Sequence, residues 1–148
     1  TAECAVEIAL SYLPMTLRQC PVLVIGWGRI GKCLGQILHA LGADLTVAAR
    51  KDADRAICRG LGYAAVDTAR MAETLGKYRL ILNTAPERLL TKEQLAQCHP
   101  DCVKIDLASR TGMEDDSVIV ARGLPGVHMP ESSGRLIAET YVRLCREE

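Results

Sequence analysis

The sequence predicts an α/β domain in which a parallel sheet carries helices on both faces. Three observations predict it. Short apolar runs recur along the chain at Val22–Ile25, Leu45–Ala49, Leu80–Leu82, Val103–Leu107 and Val118–Ala121. Segments of helical spacing separate them, which implies parallel strands joined by crossovers. Directly behind the first run stands Gly26-x-Gly28-x-x-Gly31, with a helical pattern following at once. A parallel sheet is covered on both sides, which explains why its strands read as apolar runs and not as alternation.

Each element has its own signal. Glu3–Leu17 places Ala5, Ile8, Ala9, Tyr12 and Leu13 at helical spacing, and Pro14 should kink or end that helix. Val22–Ile25 is the first strand. Ile30–Leu41 is the next helix, stopped by Gly42. Leu45–Ala49 is the second strand, and Asp52–Arg59 a short helix closed by Gly60. Tyr63–Ala65 is a weak third strand. Thr68–Leu75 reads as helical with Asp67 as N-cap. Leu80–Leu82 is the fourth strand. In Thr91–Gln97 the pattern Thr91-x-x-Gln94 is a capping box. Val103–Leu107 and Val118–Ala121 are the fifth and sixth strands, and Ser132–Cys145 is the last helix.

The chain has 148 residues, enough for one domain with a real core. We assign residues 1–18 to a connecting helix and 19–148 to the nucleotide-binding unit. The formal net charge is zero, so no pull toward nucleic acid or an anionic membrane is evident. No apolar run approaches membrane-spanning length. The start, Thr1-Ala-Glu-Cys, has neither an initiator Met nor the basic start and apolar core of a signal peptide, so the expectation is a domain excised from a longer protein. The seven cysteines are odd in number and scattered, which fits reduced thiols in a cytoplasm. Cys98-His99-x-x-Cys102 has ligand-like spacing but no second ligand pair nearby, so no metal is expected. Phe is absent, leaving Leu, Ile, Val and Ala to fill the core.

The glycine pattern in this setting is the dinucleotide-binding fingerprint of a Rossmann-type doubly wound sheet. Gly26 permits the tight turn, Gly28 lets backbone approach a pyrophosphate, and Gly31 lets helix and strand pack closely. The pyrophosphate would rest on free N–H groups at the helix start, presented with Arg29 and Ile30. The second strand ends in Ala49-Arg50-Lys51, with cations where an acid would hold the ribose hydroxyls of NAD. A guanidinium pairs with a 2′-phosphate through two hydrogen bonds and an ammonium adds a point charge, so NADP is expected over NAD. The alternative is that Arg50 and Lys51 form a solvated helix start beside Asp52 and Asp54; Arg55 fits either reading.

Other strand ends fall where the crevice of such a sheet should be. Asn83, Thr84 and Pro86 follow the fourth strand and either border a nicotinamide or cap a turn. Asp106, Ser109 and Arg110 follow the fifth. Asp106 either faces the crevice or ties down a loop, and Arg110 suits a bidentate clamp on a carboxylate. Gly123-Leu-Pro-Gly126 leads into Met129-Pro-Glu-Ser-Ser-Gly134, whose hydroxyls and amides either meet an anion or simply cap a helix. No Cys–His or Ser–His–Asp arrangement can be argued. His39 should lie on a helix surface, His99 in a turn, and His128 near the crevice.

Taken together, Val24-Ile-Gly-Trp-Gly-Arg-Ile-Gly31, Ala49-Arg50, Asn83-Thr84-x-Pro86, Asp106-Leu-Ala-Ser-Arg110 and Gly123-Leu-Pro-Gly126 resemble, in order and spacing, the bacterial dipicolinate synthase A-subunit family. The opening Thr1-Ala2-Glu3 is similar to that family's interdomain segment. The resemblance implies a larger protein with an N-terminal domain before this one, built like D-2-hydroxyacid and alanine dehydrogenases. It implies an oxidoreductase that works with the flavoprotein-like B-subunit of dipicolinate synthase during sporulation. The implied reaction is NADP-dependent oxidation of a dihydro- or hydroxytetrahydrodipicolinate, a small dicarboxylate, to dipicolinate. In that frame Asp106 and Arg110 are the catalytic candidates, the general base is either Asp106 or a group of the absent domain, and the isolated domain is expected to be inactive. A homo-oligomer is compatible with this reading. The chain departs from the family at Trp27 in the glycine loop, at Lys51 and Asp52, and at Glu131-Ser132-Ser133. Two rivals are a D-2-hydroxyacid or alanine dehydrogenase-like domain and a nucleotide-binding module without catalysis. The hydroxyacid enzymes need an Arg, a Glu and a His; Arg110 and His128 mimic two of them, but Glu114 lies too near Arg110.

Overall fold

The computed structural model describes residues 1–146. Six strands form one parallel sheet: β1 (Pro21–Ile25), β2 (Asp44–Ala48), β3 (Ala64–Val66), β4 (Leu80–Asn83), β5 (Val103–Asp106) and β6 (Val118–Val120), in the order β3-β2-β1-β4-β5-β6. This is the Rossmann order, with the topological switch between β1 and β4. The helices are α1 (Ala2–Tyr12), α2 (Arg29–Ala40), α3 (Asp52–Gly60), α4 (Lys92–Leu95), α5 (Leu124–His128) and α6 (Pro130–Arg146), with a 3-10 helix at Met71–Lys77.

Alternation along β1 divides the core. Val22 and Val24 join Leu34, Leu38, Leu45 and Val47 on the face covered by α1 and α2. Leu23 and Ile25 join Met71, Leu75, Tyr78, Leu90 and Leu95 on the other. All four of these β1 residues are fully buried, as the apolar run requires. The α1 helix is part of the first core: Ala5 and Ala9 are fully buried there. It ends at Tyr12, because the residue before Pro14 is forced extended, and Leu13 takes φ −78° and ψ 130°.

Four element expectations are corrected. Gly60 lies inside α3, and Gly62, at φ +86°, makes the left-handed exit. Thr68–Leu75 is not an α-helix; a 3-10 helix begins at Met71, and Asp67 accepts the Ala69 N–H in a local turn instead of capping. The capping box of Thr91 and Gln94 is present, but its helix closes at Leu95. The separate helix α5 precedes α6, with Pro125 in its first turn, where a missing N–H costs nothing.

Candidate functional site

The carboxyl ends of β1, β4, β5 and β6 open into one cavity of about 580 Å³. Arg29 and Ile30 line it from the start of α2. Thr84 and Pro86 line it from behind β4, Leu107, Ala108 and Ser109 from behind β5, and Ala121, Arg122 and Leu124 from behind β6. This is the crevice at the switch point, where ligands of open α/β sheets bind.

The glycine turn is built for close approach. Gly26 sits at φ +97°, a conformation that favours glycine. A Cβ on Gly31 would meet the Gly26 carbonyl oxygen at 2.1 Å, so helix and turn are in backbone contact. A Cβ on Gly28 would meet nothing within 4 Å, so open space lies over the residue that precedes α2. Gly28 is the N-cap of α2, and no side chain caps that helix. The amides of the first turn are therefore presented to whatever fills that space. Trp27 does not fill it. Its ring lies at 3.0 Å from a Cβ built on Gly35, edge-on to Tyr63 with centroids 6.0 Å apart.

Thr84 fixes the neighbouring loop to this turn. Its amide and its hydroxyl both donate to the Ile25 carbonyl, each at 2.9 Å. At the end of β2, Arg55 is buried and donates from Nη1 to the carbonyls of Ala49 and Arg50 at 2.6 and 2.7 Å. It also pairs with Asp67 at 3.1 Å and with Asp52. Arg55 is thus committed to holding the turn. Arg50 and Lys51 are the exposed cations there, and Arg50 pairs with Glu87 at 3.5 Å. That pair joins the loops on either side of β1.

The structure places two expected cleft residues, Asp106 and Arg110, outside the cavity lining. Asp106 is fully buried and does not line the cavity. Its Oδ1 accepts the Ala108 N–H at 3.0 Å; its Oδ2 accepts from Gly112 N at 2.8 Å, Met113 N at 3.2 Å and Asn83 Nδ2 at 3.2 Å. Asn83, also fully buried, exchanges hydrogen bonds of 3.1 Å with the amide and carbonyl of Ala85. These two side chains are anchors that pull the loops after β4 and β5 together. Arg110 is exposed and outside the cavity lining. Of the three residues expected behind β5, only Ser109 lines the cavity.

The residue that sequence reasoning missed is Arg122. It lines the cavity, with Nε donating to the Ala108 carbonyl at 3.1 Å and Nη2 to the Thr111 hydroxyl at 2.9 Å. Two bonds on one edge of the guanidinium fix its plane. Its signal was available: it follows a strand end, as Arg50 does. His128 turns elsewhere and pairs with Glu7 at 3.3 Å. Ser133 donates to the Pro125 carbonyl at 2.9 Å, which ties α6 to α5. Among the described residues no group of three or more His, Cys, Asp and Glu converges on a metal site, and no helix is long and apolar enough to cross a membrane.

No family model matches the chain. It is 29% identical to the dipicolinate synthase A-subunit of Bacillus subtilis (strain 168), across 99% of this chain and 52% of that protein. The chain resembles the dipicolinate synthase A-subunit. The crystal structure of that protein from Bacillus halodurans superposes with a TM-score of 0.92 and 28% identity, over 97% of this chain and 52% of that one. A transhydrogenase from Sinorhizobium meliloti shares the fold, with a TM-score of 0.86 at 23% identity over 97% of this chain and 52% of that one. The chain spans about half the length of these relatives.

Proposed function

We propose that this chain is the NADP-binding domain of an oxidoreductase of the dipicolinate synthase A-subunit type. The observation that carries the reading is the uncapped start of α2, facing open space at Gly28 beside a cavity that also holds Arg29 and Arg122. The residues fit a dinucleotide. Gly26, Gly28, Arg29, Ile30 and Gly31 would hold the pyrophosphate, and Arg50 and Lys51 the 2′-phosphate. Thr84 and Pro86 would border the nicotinamide, with Asn83 setting their loop from beneath. Bound there, the cofactor supplies hydride transfer.

The chain's own contribution is positioning. Arg122, held by Ala108 and Thr111, presents its remaining N–H groups to a carboxylate, taking the role expected of Arg110. Asp106 acts on the loop that carries Ala108 and Ser109, so in this reading it is a positioning residue. Among the described residues, no general base lines the cavity. In this reading the base comes from the other half of a longer protein or from the substrate's own ring chemistry. The substrate is a small dicarboxylate of the dihydro- or hydroxytetrahydrodipicolinate class. The flavoprotein-like B-subunit of dipicolinate synthase is the partner, and a sporulating cytoplasm the setting.

The test is a titration of the full protein with NADPH and NADH, followed by assay with the B-subunit. Tighter binding of NADPH and appearance of dipicolinate support the reading. Equal or tighter NADH binding overturns the cofactor assignment. Oxidation of 2-hydroxy acids in place of the ring substrate overturns the reaction.

A further inference from the structure

The turn joining α4 to β5 brings two thiols together. The Cys98 amide donates to the Leu95 carbonyl at 3.1 Å as the chain leaves α4. The Cys102 amide donates to the His99 carbonyl at 2.8 Å and closes a turn with Pro100 at its second position. Proline's fixed φ suits that position. The Asp101 amide donates to His99 Nδ1 at 3.1 Å and tightens the turn further. Cys102 is thereby folded back toward Cys98, both residues pack against one apolar cluster, and the Cys102 thiol donates to the Val103 carbonyl at 3.7 Å. Cys102 is buried in the core with Leu90, Leu95 and Met113, while Cys98 lies at its half-exposed margin. Lys104, itself buried, donates from Nζ to the Cys102 carbonyl at 3.4 Å.

We propose that Cys98 and Cys102 are a redox-active pair that closes to a disulfide, with a hydroperoxide as oxidant, Cys98 as the attacking thiol and Cys102 as the resolving one. The roles follow from placement, since a small oxidant reaches Cys98 from solvent and cannot reach the buried Cys102 directly. The Cys98 thiolate attacks one peroxide oxygen. The O–O bond breaks, hydroxide leaves and takes up a proton, and Cys98 becomes a sulfenic acid. The Cys102 sulfur then attacks the Cys98 sulfur. An S–S bond forms, the S–O bond breaks, and the hydroxyl departs as water with the Cys102 proton. One hydrogen peroxide is reduced to two waters and two thiols are oxidised to one disulfide. The electrostatics agree with this order. The neighbouring Cys102 thiol as a donor, with help from the Lys104 ammonium, holds Cys98 at about 7 against burial and the Asp115 carboxylate. The neighbouring Cys98 and its own burial push Cys102 up.

The pair is isolated for measurement, because trypsin would release both cysteines on one peptide, residues 93–104, that holds no other. Fully reduced protein is treated with one equivalent of hydrogen peroxide at pH 7, alkylated and digested. The expected result is a peptide lighter by two hydrogens that resists alkylation until dithiothreitol is added. It should form at least about fivefold faster than the exposed Cys33 and Cys145 oxidise. In Cys102→Ser, Cys98 should instead be trapped as a sulfenic acid by dimedone, and in Cys98→Ser the peptide should remain a thiol. A wild-type peptide that takes two alkyl groups after peroxide, or a Cys98 no faster than Cys33, overturns the proposal without reference to either variant.

Discussion

Gly31 rests on Gly26: a Cβ at the first would stand 2.1 Å from the carbonyl oxygen of the second. Backbone cannot yield as a side chain can, so Gly31→Ala should lose at least about 2 kcal/mol of unfolding free energy in urea. Gly28→Ala separates structure from binding. Its Cβ meets nothing, so stability should stay within about 0.5 kcal/mol of wild type. NADPH affinity should nevertheless fall tenfold or more, because the added methyl occupies the place of the phosphate. Unchanged affinity in Gly28→Ala would remove the phosphate from this turn.

Asp106 offers a second separation. An asparagine in its place would keep the shape while turning an N–H₂ group toward donors that now point at carboxyl oxygen. Asp106→Asn should therefore cost about 1–3 kcal/mol of stability by chemical denaturation. A variant as stable as wild type but inactive would restore Asp106 to the chemistry.

The ion pair of Arg50 with Glu87 sets up an opposed pair of effects. Both side chains are mostly exposed, at 74% and 61%, so the pair is weak and readily opened. Glu87→Gln should raise NADPH affinity about twofold to fivefold by removing the competing carboxylate. Arg50→Gln should lower it roughly tenfold and leave NADH binding nearly unchanged. Parallel isothermal titrations with both cofactors read the two effects.

For Arg122, steady-state kinetics of the full protein with its partner should show the substrate KM raised tenfold or more in Arg122→Leu. Thr111→Val, which releases one of its two tethers, should raise KM by a smaller factor. Arg110→Ala should leave KM unaltered. A reversed ranking of the two arginines would return the clamp to Arg110.

Alkylation of Cys98 by iodoacetamide should climb with pH and reach half its plateau near 7, since only the thiolate reacts. An ordinary thiol reaches that point near about 8.5. Peptide-resolved mass spectrometry across a pH series supplies the curve, and Cys102→Ala, which leaves no donor there, should shift it upward.

The strands were legible because their apolar runs stop abruptly at polar residues, and the glycine turn because its spacing has few other uses between a buried strand and a helix. Direction was harder to read than position. An Asp at a strand end gives the same sequence signal whether it faces the crevice or receives a loop folding back over it. Asp106 was decided by the amides of Gly112 and Met113, which belong to tertiary structure. Arg110 and Arg122 raised the same difficulty, since both follow strands. Only the bonds to Ala108 and Thr111 distinguish the one that enters the cavity. The Thr68–Leu75 error was local: Asp67 bonded its own neighbour's amide, and the helix it was expected to start began later and tighter.

The last helix adds nothing buried to the core, and Ser133 ties its first turn to α5. None of the residues of α6 is buried, and Leu136, Ile137 and Tyr141 are each about two-thirds exposed. Evolution can therefore rewrite that segment without endangering the sheet. Polar substitutions at Leu136, Ile137 or Tyr141 should accordingly leave a melting curve nearly unchanged.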